Sequence, residues 1–229
     1  MGIGIAFAGG GIRGIAHVGV LKALEENNIK IEAVGGTSAG SIVAALYAMG
    51  YKPYYIYVLF KKYAQDIINI GNSSIVNGIG NFVKTKKIGI AGLNDGTLLE
   101  KMFNELATRK KMKAVADIKM PLVIPAVDIA EAKEYIFTNC APRNNVNDEY
   151  ITEISIGKAI RASSSFPGVF CPCVYKEFSF LDGGILDNIP VNEVKKLGAD
   201  KVIAINFKAD DIDETSNFMD ISMRTLDIM

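Results

Sequence analysis

The chain has 229 residues, which is enough for one well-packed α/β domain. It contains 25 Lys and Arg and 25 Asp and Glu, so a formal net charge of zero excludes the strongly basic surface of a typical nucleic-acid-binding protein. Hydrophobic residues make up 49% of the chain, but no uninterrupted apolar run is long enough to span a bilayer. We therefore expect a soluble domain with a large core and no nucleic-acid partner.

The first residues predict a strand and not an export signal. Residues 2–8 are apolar, but no basic region precedes them, and Ala6 stands where a myristoylation signal needs Ser or Thr.

The three cysteines, Cys140, Cys171 and Cys173, are odd in number, and Cys-Pro-Cys lacks the second ligand pair of a zinc site. The sequence thus predicts a cytoplasmic, reducing location, with no metal and no other cofactor.

The chain begins with a predicted βαβ unit. A strand at Ile3–Ala8 leads through a glycine loop into a helix at Ile15–Asn27, and Ile31–Gly35 forms the next strand. A βαβ crossover is right-handed and its two strands are parallel. We therefore expect the glycine loop and the residues that follow the second strand to meet at the same edge of the sheet.

The second strand runs into a Gly-x-Ser-x-Gly motif centred on Ser38. Gly36 and Gly40 flank this serine without side chains, as a sharp turn from strand to helix requires, and the helix Ala39–Met49 follows. This pattern is typical of the nucleophile elbow of a serine hydrolase. Because so short a motif also occurs by chance, an ordinary βα turn remains the alternative.

The glycine loop has two interpretations. It contains Gly9, Gly10, Gly11 and Gly14, with Arg13 between the last two. Its spacing matches the dinucleotide-binding motif, but that motif needs an acidic residue at the end of the second strand, whereas Glu32 stands at its start. The favoured interpretation is an oxyanion hole built from the backbone N–H groups of Gly9, Gly10 and Gly11. Arg13 either adds positive charge there or is a solvated residue at the helix start.

The middle of the chain is less informative. An aromatic, partly basic helix at Tyr54–Tyr63 could line an acyl pocket or contact a lipid surface, although packing on the core is favoured. Asn69–Gly96 predicts a long loop, and such loops are often lids or disordered. A further helix opens at Asp95 or Thr97 and extends past Leu106.

The remaining elements alternate between strand and helix. We expect strands at Leu122–Asp128, Tyr135–Phe137, Phe178–Leu181 and Lys201–Asn206, and short helices at Ser155–Ala162 and Val191–Leu197. The first two strands are joined by a short polar turn and predict a hairpin. No repeat or shift in composition divides the chain, so we expect one domain over residues 1–229.

A serine hydrolase needs a base, and histidine is not the best candidate here. The single histidine, His17, lies about one turn into the first helix, where core packing or a supporting hydrogen bond suits it better than proton abstraction. Asp182 ends a strand, and Gly183 and Gly184 after it permit a sharp turn and a close approach. In a parallel sheet it would lie at the same edge as Ser38.

An aspartate of ordinary pKa, about 3.9, is a weak base, so a catalytic Asp182 requires a site that is at least partly desolvated. The alternative for Asp182 is an ordinary turn residue before two glycines. Asp128, at a hairpin turn, and Asp187, which suits a helix cap, are weaker candidates.

Several of these stretches together resemble the patatin-like phospholipases. The three signature blocks, in the order found in that family, are Gly9-Gly10-Gly11-Ile12-Arg13-Gly14, Gly36-Thr37-Ser38-Ala39-Gly40 and Asp182-Gly183-Gly184. Two further stretches resemble the segments on either side of the third block, namely Ala162 to Phe170 and Asp187-Asn188-Ile189-Pro190-Val191. The resemblance extends from the first residues to about Asn206.

The resemblance implies an α/β fold, a three-layer α/β/α sandwich with a mainly parallel central sheet, and hydrolysis of lipid acyl esters. Ser38 would be the nucleophile, Asp182 the base, and Gly9, Gly10 and Gly11 the oxyanion loop. Similar bacterial proteins continue beyond the region that corresponds to residues 224–228, so this chain is either a short member or truncated after about residue 206.

Three other functions remain open at this stage. The acyl-enzyme could transfer its acyl group to an alcohol or a lysolipid instead of water. A lipid-binding or regulatory protein could keep the pocket but turn over slowly. A nucleotide-binding module is the least favoured alternative. The expected partner is a lipid ester or phospholipid, with transient contact to a membrane surface as a further candidate.

Overall fold

The computed structural model describes residues 2–65, 94–141, 149–208 and 224. Short apolar runs bounded by glycines and polar turns form the strands, as their β-branched and aromatic content favours. The strands are β1 Ile3–Phe7, β2 Ile31–Gly36, β3 Leu122–Asp128, β4 Lys133–Thr138, β5 Tyr150–Ile151, β6 Cys173–Tyr175, β7 Phe178–Asp182 and β8 Lys201–Ile205. Two of them, β5 and β6, were not predicted, because strands of two or three residues are too short to show a periodic pattern.

The helices follow the predicted order. They are α1 Ala16–Glu26, α2 Ala39–Ala48, α3 with helical residues 53–65, α4 Thr97–Arg109, α5 Ile156–Ser163 and α6 Val191–Lys196. Short 3₁₀ turns span Gly11–Ile15, Val115–Asp117 and Gly183–Ile185. Among the described residues, no helix is long and apolar enough to cross a membrane. The long loop predicted at Asn69–Gly96 lies outside the described residues, apart from positions 94–96.

The strands form one mixed sheet in the order β5-β4-β3-β2-β1-β8, with β7 paired to β3 and β6 paired to β7. Strand β1 is parallel to both β2 and β8, and β2 is parallel to β3. The predicted hairpin of β3 and β4 is confirmed as an antiparallel pair. The central strands are therefore parallel, and antiparallel strands are added around β3.

Strands β2 and β7 share one edge of β3. Val34 and Gly35 of β2 pair with the beginning of β3, whereas Asp182 of β7 pairs with Ala126 further along it. Because β2 is parallel and β7 antiparallel to β3, the carboxyl ends of β2 and β7 face each other. The expectation that a parallel strand brings Asp182 to the edge with Ser38 is therefore wrong: β7 approaches from the opposite direction.

Helices cover both faces of the sheet because the side chains of each strand alternate between the faces. On β1, Ile5 and Phe7 belong to the larger core and Ala6 to the smaller one. The larger core includes Leu21 of α1, Ile42 of α2, Phe60 of α3, Phe103 of α4 and Ile160 of α5. The smaller core contains Val194 of α6. The fold is thus the expected three-layer α/β/α sandwich.

Candidate active site

Ser38 lies at a sharp turn between β2 and α2. Its backbone has φ 52° and ψ −121°, a left-handed conformation that costs a non-glycine residue on the order of 1–3 kcal/mol. Its side chain does not cap α2, although Ser38 occupies the cap position. The residue is only partly buried. The turn therefore holds the Ser38 hydroxyl away from the helix backbone and within reach of solvent.

The two glycines of the motif allow the close contacts of this turn. A Cβ atom on Gly36 would lie 2.3 Å from the Gly40 carbonyl oxygen, and one on Gly40 would lie 2.4 Å from the Phe7 carbonyl oxygen. Since real Cβ atoms do not approach backbone so closely, α2 can begin beside the end of β1 only if both positions lack side chains.

The glycine loop lies directly against Ser38. A Cβ atom on Gly9 would be 3.2 Å from the Ser38 Cβ atom, and one on Gly14 would be 2.7 Å from the Cβ atom of Ala39. The Gly9 N–H donates to Asn188, whose Oδ1 atom is 3.0 Å away and whose carbonyl oxygen is 3.2 Å away. In the described part of the chain, the N–H groups of Gly10 and Gly11 have no acceptor. Of the three N–H groups predicted to form the oxyanion hole, those of Gly10 and Gly11 are therefore available to bind an oxyanion, whereas that of Gly9 is already bonded to Asn188.

Asp182 is fully buried at the end of β7. Its Oδ1 atom accepts a hydrogen bond of 2.9 Å from the Gly184 N–H, and its own N–H donates to the Ser165 carbonyl at 3.2 Å. Burial raises the pKa of the Asp182 carboxyl from 3.8 to about 7, and the interactions with the Ser38 hydroxyl and the Gly184 N–H oppose this rise. A carboxyl with this pKa can accept and return a proton near neutral pH.

The Asp182 Oδ2 atom is also buried, but it has no hydrogen bond of normal length and angle within the described chain. The Ser38 hydroxyl is close enough to lower the pKa of the carboxyl, but it is not fixed on Oδ2. Unliganded active sites often have such loose contacts, which tighten when substrate binds.

Gly183 lets the Asp182 turn pack tightly against its neighbours. A Cβ atom on Gly183 would lie 2.4 Å from the Pro125 carbonyl oxygen and 3.0 Å from the Thr37 Cγ2 atom. The Thr37 hydroxyl donates to the Asp187 carbonyl at 2.8 Å. The residues just before Ser38 and just after Asp182 are therefore in direct contact.

A serine-rich segment at the end of α5, Ser163 to Ser165, contacts both candidate residues. The Ser38 N–H donates to the Ser163 hydroxyl at 3.0 Å, and the Asp182 N–H donates to the Ser165 carbonyl. Both serines are buried. This segment resembles a motif of the patatin-like phospholipases, but the sequence did not indicate a role for Ser163 or Ser165.

Arg161 fixes the serine-rich segment from inside the protein. Its guanidinium is 1% exposed and donates to the Ser165 hydroxyl, to the Cys171 carbonyl at 2.6 Å and to the Asp95 carbonyl at 3.0 Å. It also lies 4.9 Å from the centre of the Phe170 ring. Its place in a short helix before the serine-rich segment was the signal in the sequence. Ser165 and Cys171 are near Arg161 in the chain, but Asp95 is 66 positions away, and no local pattern indicates that contact.

His17 is placed to support the glycine loop and not to activate Ser38. It is fully buried, and its Nε2 atom lies 2.8 Å from the Ala8 carbonyl oxygen, just before the loop. Burial lowers the pKa of His17 to about 4, so the ring is neutral near pH 7. Because a carbonyl oxygen needs a donor, the proton is assigned to Nε2. The other ring nitrogen, Nδ1, is buried without a partner among the described residues.

The other predicted charged residues have contacts of their own. Arg13 lies over the Phe207 ring, 5.3 Å from its centre, and this ring also contacts the His17 ring in a tilted arrangement. Asp128 accepts from the N–H groups of Ser179 and Glu131 and so stabilises the hairpin region. No group of three or more His, Cys, Asp or Glu residues in the described part of the chain could hold a metal ion.

Comparison with known families identifies the family of this chain. The model of the family described as patatin-like phospholipase matches residues 5–195. Lysophospholipase NTE1 of Meyerozyma guilliermondii is 33% identical over 218 residues, which are 95% of this chain and 13% of that protein. Lysophospholipase NTE1 of Candida albicans is 31% identical over 221 residues, which are 95% of this chain and 14% of that protein. This chain belongs to the patatin-like phospholipase family, and it spans about one seventh of the length of these relatives.

Solved structures show the same fold. VipD from Legionella pneumophila matches with a TM-score of 0.52 and 18% identity over 89% of this chain and 49% of that chain. A chain of the ExoU–SpcU complex from the type III secretion system of Pseudomonas aeruginosa matches with a TM-score of 0.50 and 21% identity, over 93% of this chain and 42% of that chain. At these identities the likeness establishes the architecture alone.

Proposed function

We propose that this chain hydrolyses acyl esters of phospholipids or lysophospholipids with Ser38 as nucleophile and Asp182 as base. The observation that supports this proposal most directly is the buried Asp182 carboxyl, whose pKa of about 7 is influenced by the Ser38 hydroxyl. Family membership and the lysophospholipase relatives support the choice of a lipid ester as substrate.

In the first half of the reaction, the Ser38 oxygen attacks the ester carbonyl carbon and its proton moves to Asp182 Oδ2. Negative charge develops on the carbonyl oxygen, where the N–H groups of Gly10 and Gly11 stabilise it. The bond to the alcohol then breaks, and Asp182 returns the proton to the departing oxygen. The products of this half are the free alcohol and an acyl group on Ser38.

In the second half, water attacks the acyl-enzyme while Asp182 accepts one of its protons. The bond between the acyl carbon and Ser38 breaks, the proton returns to the serine oxygen, and the fatty acid leaves. A neutral His17 takes no part in this proton transfer, because its Nε2 proton is bonded to the Ala8 carbonyl and its other ring nitrogen is buried.

A single experiment tests this proposal. Fatty-acid release from lysophosphatidylcholine is measured for the wild type, Ser38→Ala and a control, Ser179→Ala, on the strand that holds Asp182. Loss of a serine nucleophile is expected to lower kcat by about 10⁴-fold or more, whereas the control stays active. Activity of the Ser38 variant within tenfold of the wild type would rule out the mechanism.

Two alternatives make different predictions in the same assay. Acyl transfer predicts an acylated acceptor instead of free fatty acid when glycerol or a lysolipid is added. A lipid-binding protein with little turnover predicts bound lipid, no fatty acid and no reaction of Ser38 with a fluorophosphonate probe. The intact Ser38 and Asp182 pair favours hydrolysis over this second alternative.

We also propose that α3 contacts the lipid surface that supplies the substrate. Its inner face contains Phe60, which packs near Gly14, and the buried Tyr63, whose pKa is raised mainly by burial and further by the charge of Asp182. Its outer face exposes Tyr54 and Tyr55, which are 73% and 61% accessible. Lys61 and Lys62 are also exposed and would attract anionic headgroups.

Cosedimentation with vesicles tests this contact. We expect the wild type to bind vesicles with 30% phosphatidylserine better than pure phosphatidylcholine vesicles. A variant with Tyr54→Ser and Tyr55→Ser should bind severalfold more weakly but hydrolyse dispersed substrate at the normal rate. Equal sedimentation of both proteins would count against the role of α3.

A further inference from the structure

The side chain of Asn188 is bonded to the glycine loop beside Ser38. Its Oδ1 atom accepts the Gly9 N–H at 3.0 Å, and its backbone carbonyl accepts the same N–H at 3.2 Å. A Cβ atom on Gly9 would lie 2.7 Å from Asn188 Oδ1 and 3.2 Å from the Ser38 Cβ atom. Gly9 is therefore held in the narrow space between the Asn188 amide and Ser38.

Asn188 is itself fixed to both halves of the candidate site. The carbonyl of the preceding residue, Asp187, accepts the Thr37 hydroxyl at 2.8 Å, next to Ser38. The Asp187 N–H donates to the Gly183 carbonyl at 2.9 Å, next to Asp182. The position of the amide therefore depends on the elbow and on the Asp182 turn together.

His17 and Asn188 hold opposite ends of the Ala8–Gly9 peptide group, at the start of the glycine loop. His17 donates to the Ala8 carbonyl, and the Ala8 N–H donates to the Ile205 carbonyl at 3.0 Å. The Phe207 ring covers the open side of Gly10, since a Cβ atom there would lie 2.5 Å from the ring. Among the described residues, Asn188 is the side chain that accepts an N–H group from the three consecutive glycines.

We propose that Asn188 is a positioning residue that orients the oxyanion loop. This proposal rests on the proposed function. By accepting the Gly9 N–H, Asn188 fixes the peptide plane that begins the loop and leaves the N–H groups of Gly10 and Gly11 for the oxyanion. Three consecutive glycines have many accessible backbone conformations, so when only the longer contact to the Asn188 backbone carbonyl remains, the alignment of the donors is loosened.

An asparagine suits this position better than an aspartate. Either side chain could accept the Gly9 N–H, but a carboxylate would bring a negative charge close to the oxygen that becomes negative during the reaction. The neutral Asn188 amide supplies the acceptor without that charge, so it does not oppose the transition state.

The test compares Asn188 with an asparagine that makes the same type of bond elsewhere. Asn104 Oδ1 accepts the Gly157 N–H at 2.9 Å, between α4 and α5. We expect Asn188→Ala to lower kcat for lysophosphatidylcholine about 100-fold, the size of effect seen when one oxyanion donor is lost, with KM changed less than threefold. Asn104→Ala should lower Tm by a similar amount, but it should leave kcat within threefold of the wild type.

Two further variants, Asn188→Leu and Ser38→Ala, complete the test. Asn188→Leu removes the side-chain acceptor, leaves the backbone carbonyl in place and keeps the volume of the side chain, so it replaces Asn188→Ala if that variant does not fold. Normal kcat in the Asn188 variant, or equal losses of kcat in both asparagine variants, would overturn the positioning role. Ser38→Ala is measured alongside: if it remains active, the proposed function itself fails, and if it is inactive, a normal Asn188 variant counts against this inference alone.

Discussion

Ser38 and Asp182 are brought together by two strand ends that face each other along one edge of β3. Ser38 follows β2, which is parallel to β3, and Asp182 ends β7, which is antiparallel to it. Asp182 is completely buried, and the Ser38 hydroxyl influences the pKa of its carboxyl. This arrangement predicts how activity and stability depend on pH and on particular side chains.

Activity should increase with pH up to about 7. The base form of Asp182 is the carboxylate, and burial raises the pKa of this group to about 7. Below that pH most molecules hold a proton on Asp182, and in the proposed mechanism a protonated Asp182 cannot accept the proton of Ser38. We expect kcat/KM to rise about tenfold per pH unit from pH 5 to 6.5 and to level off above 7.5. A flat profile over this range would contradict the assignment of the base.

Asp182→Asn should remove activity but increase stability at higher pH. Loss of general base catalysis should lower kcat by roughly 10²–10⁴-fold. In the wild type, the pKa is higher in the folded chain than in the unfolded one, so stability is lost as the pH rises from about 4 through 7. The Asp182→Asn variant has no ionisable group at this position, so its free energy of unfolding does not decrease with pH for this reason.

The stability gain of Asp182→Asn over the wild type should therefore grow by about 3 kcal/mol between pH 5 and 8, at 1.36 kcal/mol per pH unit up to the pKa. Urea unfolding of both proteins at the two pH values measures it. A pH-independent difference would show that Asp182 has an ordinary pKa in the folded chain.

Replacing His17 should leave the pH midpoint of the reaction in place. His17→Leu removes the hydrogen bond to the Ala8 carbonyl, so kcat should fall about 10-fold through displacement of the glycine loop. The midpoint of the pH profile should remain near 7 because it belongs to Asp182. A shift of the midpoint by a full pH unit, or a loss as large as that in Asp182→Asn, would make His17 part of the proton transfer.

Arg161→Met should destabilise the protein strongly. The substitution leaves three oxygens without their donor: the Ser165 hydroxyl, which is buried, and the carbonyls of Cys171 and Asp95, whose bonds are partly buried. An unsatisfied buried group costs about 1–3 kcal/mol, so a loss of about 3 kcal/mol or more in the free energy of unfolding is expected. Arg109→Met at an exposed position of α4 is the control, with an expected change within about 0.5 kcal/mol. Similar urea midpoints for the two variants would contradict the role of Arg161.

Two glycine-to-alanine substitutions should differ in their effects: Gly9→Ala should lower activity, whereas Gly19→Ala should increase stability. Gly9→Ala forces a Cβ atom into the space between Asn188 and Ser38, so activity should fall by at least about 10²-fold. Gly19 lies on an exposed face of α1 with no atom within 4 Å of an added Cβ. Gly19→Ala should therefore stabilise the protein by about 0.5–1 kcal/mol and leave activity unchanged. Melting curves and initial rates of both variants provide the comparison.

The local elements could be predicted because their causes are local. Apolar spacing predicted α1 and α2, and the two glycines at positions 36 and 40 predicted the sharp turn at Ser38, whose backbone is left-handed. The hairpin of β3 and β4 also follows from residues that are close in sequence. In each case, the neighbouring residues restrict the backbone to a few conformations.

The direction of β7 could not be predicted from its own residues. A strand with the sequence of β7 can pair in either direction, and only its antiparallel pairing with β3 turns its end toward β2. Asn188 and Ser163 were missed for a related reason. They bond to Gly9 and Ser38, which are 179 and 125 positions away in the chain, and no local pattern reports such contacts.

The sequence by itself determined which chemical groups are present and how the backbone turns around them: a serine between two glycines, a loop of consecutive glycines, and an aspartate before two more. Only the tertiary structure decided that the Gly9 N–H is occupied and that Asp182 is desolvated enough to have a pKa of about 7. The physical reason is that steric limits on a turn come from adjacent residues, whereas burial of a charge depends on every distant segment that excludes water from it.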